Sequence, residues 1–451
     1  MSATRPLIVL LAAASLSACS TVSSLGSAIW PFDNGPSKAP DDTKDGRISI
    51  LTFEQKLEAE PGLAGTLALP APQTLAQWAQ PGGDVTNAPG SIAGSAEPKI
   101  QWRRGVGGES TAQSRYASTP VIAGGTLYLL SIGQTVRAFD AASGNPKWSR
   151  RLKSDKPRDK VAQGGGLAFA DQRVFVTSGF GFIAALDAET GKEIWRTPTN
   201  APFSSAPTVL SGRVFASTND SELLAFDAQT GRVLWNYQAI AEPARVLSSS
   251  SPAVTEDAVV APFASGEIVA LSPANGRRLW VDALTRSGRL TSLSSINDVA
   301  GRPAVVDGSV YAVSHSGVLA SVDLRSGQRV WAKGLASTQT PYVVGDVAFV
   351  ISTDSELVAF HRKDGNIYWT EQLQRYTNTK KSKGRVTWAG PILFGGHLVA
   401  ASSQGEMVFV NPENGEVVKT LDLKAPVFVP PVAANGILYV LTNSGRLIAL
   451  Q

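Results

Sequence analysis

A single cysteine, Cys19, in a chain of 451 residues rules out a disulfide framework and any site built from two or more thiolates. Histidine is as sparse: His315, His361 and His397 stand far apart, with no metal-ligand spacing among them. Charged residues make up only 17%, and the formal charge of +4 over 37 acidic residues lacks the concentrated basic face of a nucleic-acid binder. There is no Gly-x-Ser-x-Gly elbow, no glycine-rich phosphate loop ahead of a helix, and no recurrent carboxylate pair outside turns. The residues therefore point to no catalytic group, no metal ligand and no cofactor. What the chain has is 43% hydrophobic residues, 42 glycines and 27 prolines, the composition of many short strands and turns.

The first residues read as an export signal. Arg5 precedes an apolar run from Leu7 to Leu16, too short to span a bilayer and suited to a secretory core. It ends in Leu16-Ser17-Ala18-Cys19, the lipobox pattern of bacterial lipoproteins, so residues 1–18 are expected to be removed and Cys19 to carry the lipid. Ser20, not Asp, comes after the cysteine, which predicts the outer membrane, facing the periplasm. Residues 19–98 hold no sustained period and many prolines and glycines, and read as a lipidated tether, partly ordered, whose Trp78 is available to dock on the C-terminal domain.

From residue 99 the chain repeats. Pro120, Pro207, Pro252, Pro303, Pro341, Pro391 and Pro431 each head an apolar strand, with Leu167 standing in once. Eight residues after each comes an apolar or aromatic residue of a second strand: Tyr128, Phe175, Phe215, Val260, Tyr311, Phe349, Val399 and Tyr439. Downstream lies a turn with a tryptophan at fixed spacing, as in Asp187, Gly191, Trp195 or Asp227, Gly231, Trp235; looser copies use Ser272 and His361, and Lys419 replaces the ring in the seventh unit. Each unit supplies four short strands. The aspartate accepts from the next backbone amides, the glycine takes positive φ, and the tryptophan offers a large ring to a neighbouring sheet. The expected fold is all-β, an eight-bladed β-propeller of four-stranded antiparallel blades over 99–451. The eighth unit stops after its third strand, and Lys99 to Arg103, holding Trp102, has the pattern of the missing fourth, so an N-terminal strand should close the ring.

The Asp-Ala-x-x-Gly-x-x-x-Trp turn resembles the pyrroloquinoline-quinone-like propeller repeat, which hosts both dehydrogenases and non-catalytic members. With the lipobox, the tether, eight units, and the stretches Asp323 to Gln328 and Ile296 to Val299, the chain is similar to the BamB family, lipoproteins of the machinery that assembles β-barrels in the outer membrane. That resemblance implies a scaffold, not an enzyme, whose loops on one face bind the periplasmic POTRA domains of the barrel subunit. One family loop has the pattern Leu-x-Leu-Arg; here Ala244-Arg245-Val246-Leu247 keeps its apolar and basic character but not its order. The other has Asp-x-Asp; here Asp298 is kept and Ala300 takes the second position. Arg245, Val246, Leu247 and Asp298 are thus the candidate partner contacts, against the alternative that they pack a loop.

Two further readings stay open: a quinone-dependent dehydrogenase, whose family pattern includes adjacent cysteines that this chain lacks, and a propeller binding a glycan or another envelope component. Two basic runs, Arg150 to Lys160 and Lys380 to Arg385, link adjacent units and suit acidic surfaces or headgroups.

Overall fold

A sheet of four short strands has two faces to bury, and here the first three strands of each repeat are apolar enough to bury both. In the computed structural model residues 57–63, 65–107, 115–154, 162–242, 250–285 and 297–451 are described, all within one compact unit, Lys56–Gln451. The first blade runs Val121–Ala123, Thr126–Ser131, Thr135–Asp140 and Pro146–Arg151, each strand antiparallel to the one before. Eight four-stranded sheets of this kind form the propeller expected from the repeats. The first strands of successive blades are neighbours around a central channel, so the first strand is innermost, while the fourth, as in Pro146–Arg151, is outermost and largely exposed. No helix among the described residues is long and apolar enough to cross a membrane.

Blades are joined by one repeated contact. The outer-strand tryptophan donates its indole N–H to a carbonyl in the turn of the next blade: Trp102 to Ala142 at 2.7 Å, Trp148 to Ala188 at 3.0 Å, Trp195 to Ala228 at 3.1 Å, and likewise Trp235, Trp280, Trp331 and Trp369 to Pro273, Leu324, Arg362 and Pro412. The glycine of that turn lies against the face of the same ring. At Gly231, with φ of +73°, a Cβ would come within 2.4 Å of Trp195, so both backbone conformation and space require glycine. Except at Trp280, whose second strand carries Val260, the ring's other neighbour is the aromatic of its own second strand, as in Phe175–Trp195 and Phe215–Trp235 with centroids 6.0 and 5.8 Å apart. Each aspartate holds the turn: Asp187 Oδ1 accepts from Thr190 N at 2.8 Å and Thr190 Oγ1 at 2.6 Å.

The ring closes where expected. Ile100–Gly105 pairs antiparallel with Arg446–Leu450 as the outer strand of the last blade, and Lys99 and Gln451 exchange backbone hydrogen bonds of 2.8 and 2.9 Å. Closure also explains Lys419. The eighth blade takes its fourth strand from the other end of the chain, so no third-to-fourth turn exists there to accept an indole N–H. The lysine instead lies over its own blade's Phe409 ring at 5.4 Å.

Residues 75–92 touch all eight blades at the channel. Trp78 exchanges two backbone hydrogen bonds with Ile122 of the first blade, and Ala79 O accepts from Phe169 N of the second. The Gln80 carboxamide bonds Phe169 O, Val209 O and Val209 N, bridging the second and third blades. Val85 O and Thr86 O accept from Val254 and Val305 of the fourth and fifth. Tyr342 of the sixth donates to Gly90 O, Ile92 bonds Leu393 and Gly395 of the seventh, and Leu75 O accepts from Asn435 of the eighth. Inner-strand amides and carbonyls that a bare channel would leave to water are thus paired with protein. Trp78, Gln80, Asn87 and Ile92 are all buried.

Candidate protein-binding face

The two ends of the channel are not equivalent. The N-terminal segment bonds mainly the C-terminal ends of the inner strands, where each leads into its first hairpin. The opposite end carries the links between blades, because each outer strand must return there to begin the next inner one. Asp298, the one candidate contact among the described residues, lies on this second face.

Asp298 lies in the link between the fourth and fifth blades and is 6% exposed, its carbonyl accepting from His315 N at 2.9 Å. Val299 and Ala300 beside it are buried, and Val299 N donates to Phe263 O. Asp298 and Ser250 line the same small cavity, about 30 Å³, together with Ser205, Ser217 and Phe263. Ser250 belongs to the preceding link; Arg245, Val246 and Leu247, like Cys19, lie outside the described residues.

A second feature projects from the link between the sixth and seventh blades. Tyr376–Asn378 and Lys383–Arg385 form a two-stranded hairpin, joined by a 3-10 turn over Thr379–Lys381 that Asn378 Oδ1 caps by accepting from Lys381 N at 3.0 Å. At its base Arg375 and Arg385 both reach Asp354 Oδ1, at 2.6 and 2.7 Å. The arginines are thereby neutralised in part, while Lys380, Lys381 and Lys383 at the tip are exposed and form no ion pair among the described residues. Arg150, Arg151 and Lys153 are exposed at the start of the first inter-blade link.

His361 is a turn residue: Gly365 N donates to its carbonyl and its Nδ1 lies 2.8 Å from Asp364 Oδ1. His315 and His397 each bury an Nδ1 that has no hydrogen-bond partner. Among the described residues no three of His, Cys, Asp and Glu lie together as a metal site would need. Gly164, Gly165 and Gly166 permit close packing, a Cβ on them meeting Phe203 O, Thr177 O or Ala206 within 2.7 Å.

One residue escaped sequence reasoning although a signal was there. The residue before each strand-heading proline is Thr119, Ala206, Ser251, Thr340, Gly390 or Pro430, small and uncharged in every unit but one, where it is Arg302. That position faces the channel, and Arg302 is buried there.

A closed ring of eight four-stranded blades, bearing indole-to-turn contacts, with one end of the channel occupied by its own N-terminal segment and the other presenting long polar links, defines a PQQ-like repeat propeller. The chain belongs to the family described as outer membrane protein assembly factor BamB, whose model matches residues 94–163, 134–371 and 374–451. Similar proteins of that name come from Salmonella typhimurium, 28% identical with 73% of this chain and 83% of the relative covered, and from Escherichia coli, 28% identical with 78% and 88% covered. Among solved structures, BamB from Moraxella catarrhalis superposes with a TM-score of 0.66 at 21% identity, covering 79% of this chain and 100% of that one. A europium-containing methanol dehydrogenase shares the fold with a TM-score of 0.64 at 15% identity, over 81% and 89% of the two chains.

Proposed function

We propose that this member of a family of outer-membrane protein assembly factors is a non-catalytic scaffold, anchored to the outer membrane through lipid on Cys19 and facing the periplasm, whose inter-blade face binds the POTRA domains of the barrel subunit. The observation that carries the reading is the asymmetry of the channel: the chain's own residues 75–92 occupy one end, and the long links with Asp298 and the lysine hairpin gather at the other. Burial of Asp298 suits it to a supporting part, so Arg245, Val246 and Leu247 carry the direct contact and Lys380, Lys381 and Lys383 add electrostatic steering toward an acidic surface.

Crosslinked pull-down of the barrel subunit tests this. Leu247→Arg should weaken capture by roughly 30-fold or more if Leu247 is a hot spot. Full capture by a folded Leu247→Arg variant would remove that loop from the interface. A Cys19→Ser variant found in the soluble fraction would support the anchor; one that remained with the membrane after processing would contradict it.

A further inference from the structure

Arg302 presents a charge with no visible compensation. Its residue is 9% exposed, its Nε is sealed from solvent without a hydrogen-bond partner, and its guanidinium forms no ion pair among the described residues. Burial lowers its pKa to about 10, so it remains charged at neutral pH. A buried cation without a partner is among the most unfavourable groups a fold can hold. Arg302 lines a cavity of about 30 Å³ whose walls include Thr119, Thr340 and Tyr342 from other blades and Trp78 and Asn87 of the N-terminal segment, with no carboxylate among the lining residues. Thr340 Oγ1 accepts from the Arg302 backbone N at 3.2 Å, which keeps the hydroxyl proton available as a donor. Asn87 Oδ1, also buried, has no donor.

We infer that this cavity at the channel is an anion site, in which the Arg302 guanidinium and the Thr340 hydroxyl bind one small monovalent inorganic anion of chloride size. A volume of about 30 Å³ open to water-sized species suits one small ion. The bound anion neutralises Arg302 and, through the shared wall, ties the fifth blade to the N-terminal segment that runs past all the blades.

Thermal unfolding of the full-length protein in sodium chloride, sodium bromide and sodium gluconate at equal ionic strength gives the test. Chloride and bromide should produce a saturable rise of roughly 2 °C or more over gluconate. General salt effects on protein surfaces run the other way, with bromide the least stabilising. Arg302→Met and Arg302→Gln should lose the rise in chloride and bromide whatever their baseline, leaving only the surface trend. Should those variants fail to fold, crystals of the wild-type protein grown in bromide decide: an anomalous peak within about 3.5 Å of the guanidinium supports the site. No rise in chloride and bromide over gluconate, a rise that survives in Arg302→Met, or bromide found only at the surface would overturn it.

Discussion

Each outer-strand tryptophan is held by an indole N–H to the next blade's turn and a glycine against its face, and all but Trp280, whose blade carries Val260 there, have an aromatic of their own blade on the other side. Trp195→Ala removes all three and should cost about 3 kcal/mol, measured by denaturant unfolding. Gly231→Ala tests the glycine separately: at least about 1 kcal/mol comes from the left-handed backbone alone, before the clash with Trp195. Lys419→Trp, by contrast, should gain nothing, since the eighth blade has no turn to receive the ring. The turn aspartates supply a pH signature. In Asp140, Asp187, Asp227 and Asp323 the carboxyl is held below its ordinary value, first by the hydroxyl of the residue three positions on and then by backbone amides. Because the folded value is depressed, this contribution is present in full above the ordinary carboxylate range and is lost only as pH falls below about 4. Thr190→Val and Thr230→Val should move the titrations of Asp187 and Asp227 upward by NMR; unchanged titrations would show that the hydroxyls are not the cause.

At the scale of the element, the sequence revealed what repeats and concealed what does not. The prolines, second-strand aromatics and turn tryptophans marked eight blades and the closing strand, because each answers a packing demand met once per blade. The path of residues 75–92 had no such mark. Its bonds go mostly from backbone to backbone, and any residue supplies an amide and a carbonyl, so no side-chain period records it; only Trp78, Gln80 and Asn87 are specific. The buried position of Asp298 was equally hidden, since burial of a link residue depends on the neighbouring link. Two variants separate these elements. A chain lacking residues 99–105 should lose the outer strand of the last blade and its Trp102 contact, and unfold far below the wild type. Gln80→Ala leaves the ring closed but strands Phe169 O, Val209 O and Val209 N, and should cost roughly 2–3 kcal/mol; a loss within 0.5 kcal/mol, about what an ordinary surface substitution costs, would mean that water replaces the carboxamide.

At the largest scale, closure of the ring and occupation of one channel end leave the propeller with two different faces. One presents short turns repeated blade after blade, in which side chains are consumed by the turns themselves. The other presents links of unequal length, a lysine-tipped hairpin and the cavity beneath Asp298. A scaffold needs such a distinctive surface on a stable frame, and family membership assigns that frame to outer-membrane protein assembly. Site-specific photocrosslinking in cells compares the faces directly, with the reactive residue placed at Lys153 or Lys381 on the link face and at Glu189 or Gln229 on the turn face, all exposed positions. Adducts with the POTRA domains of the barrel subunit from the link-face positions alone are what a link-face scaffold predicts; adducts from Glu189 or Gln229 with none from Lys153 or Lys381 would contradict it.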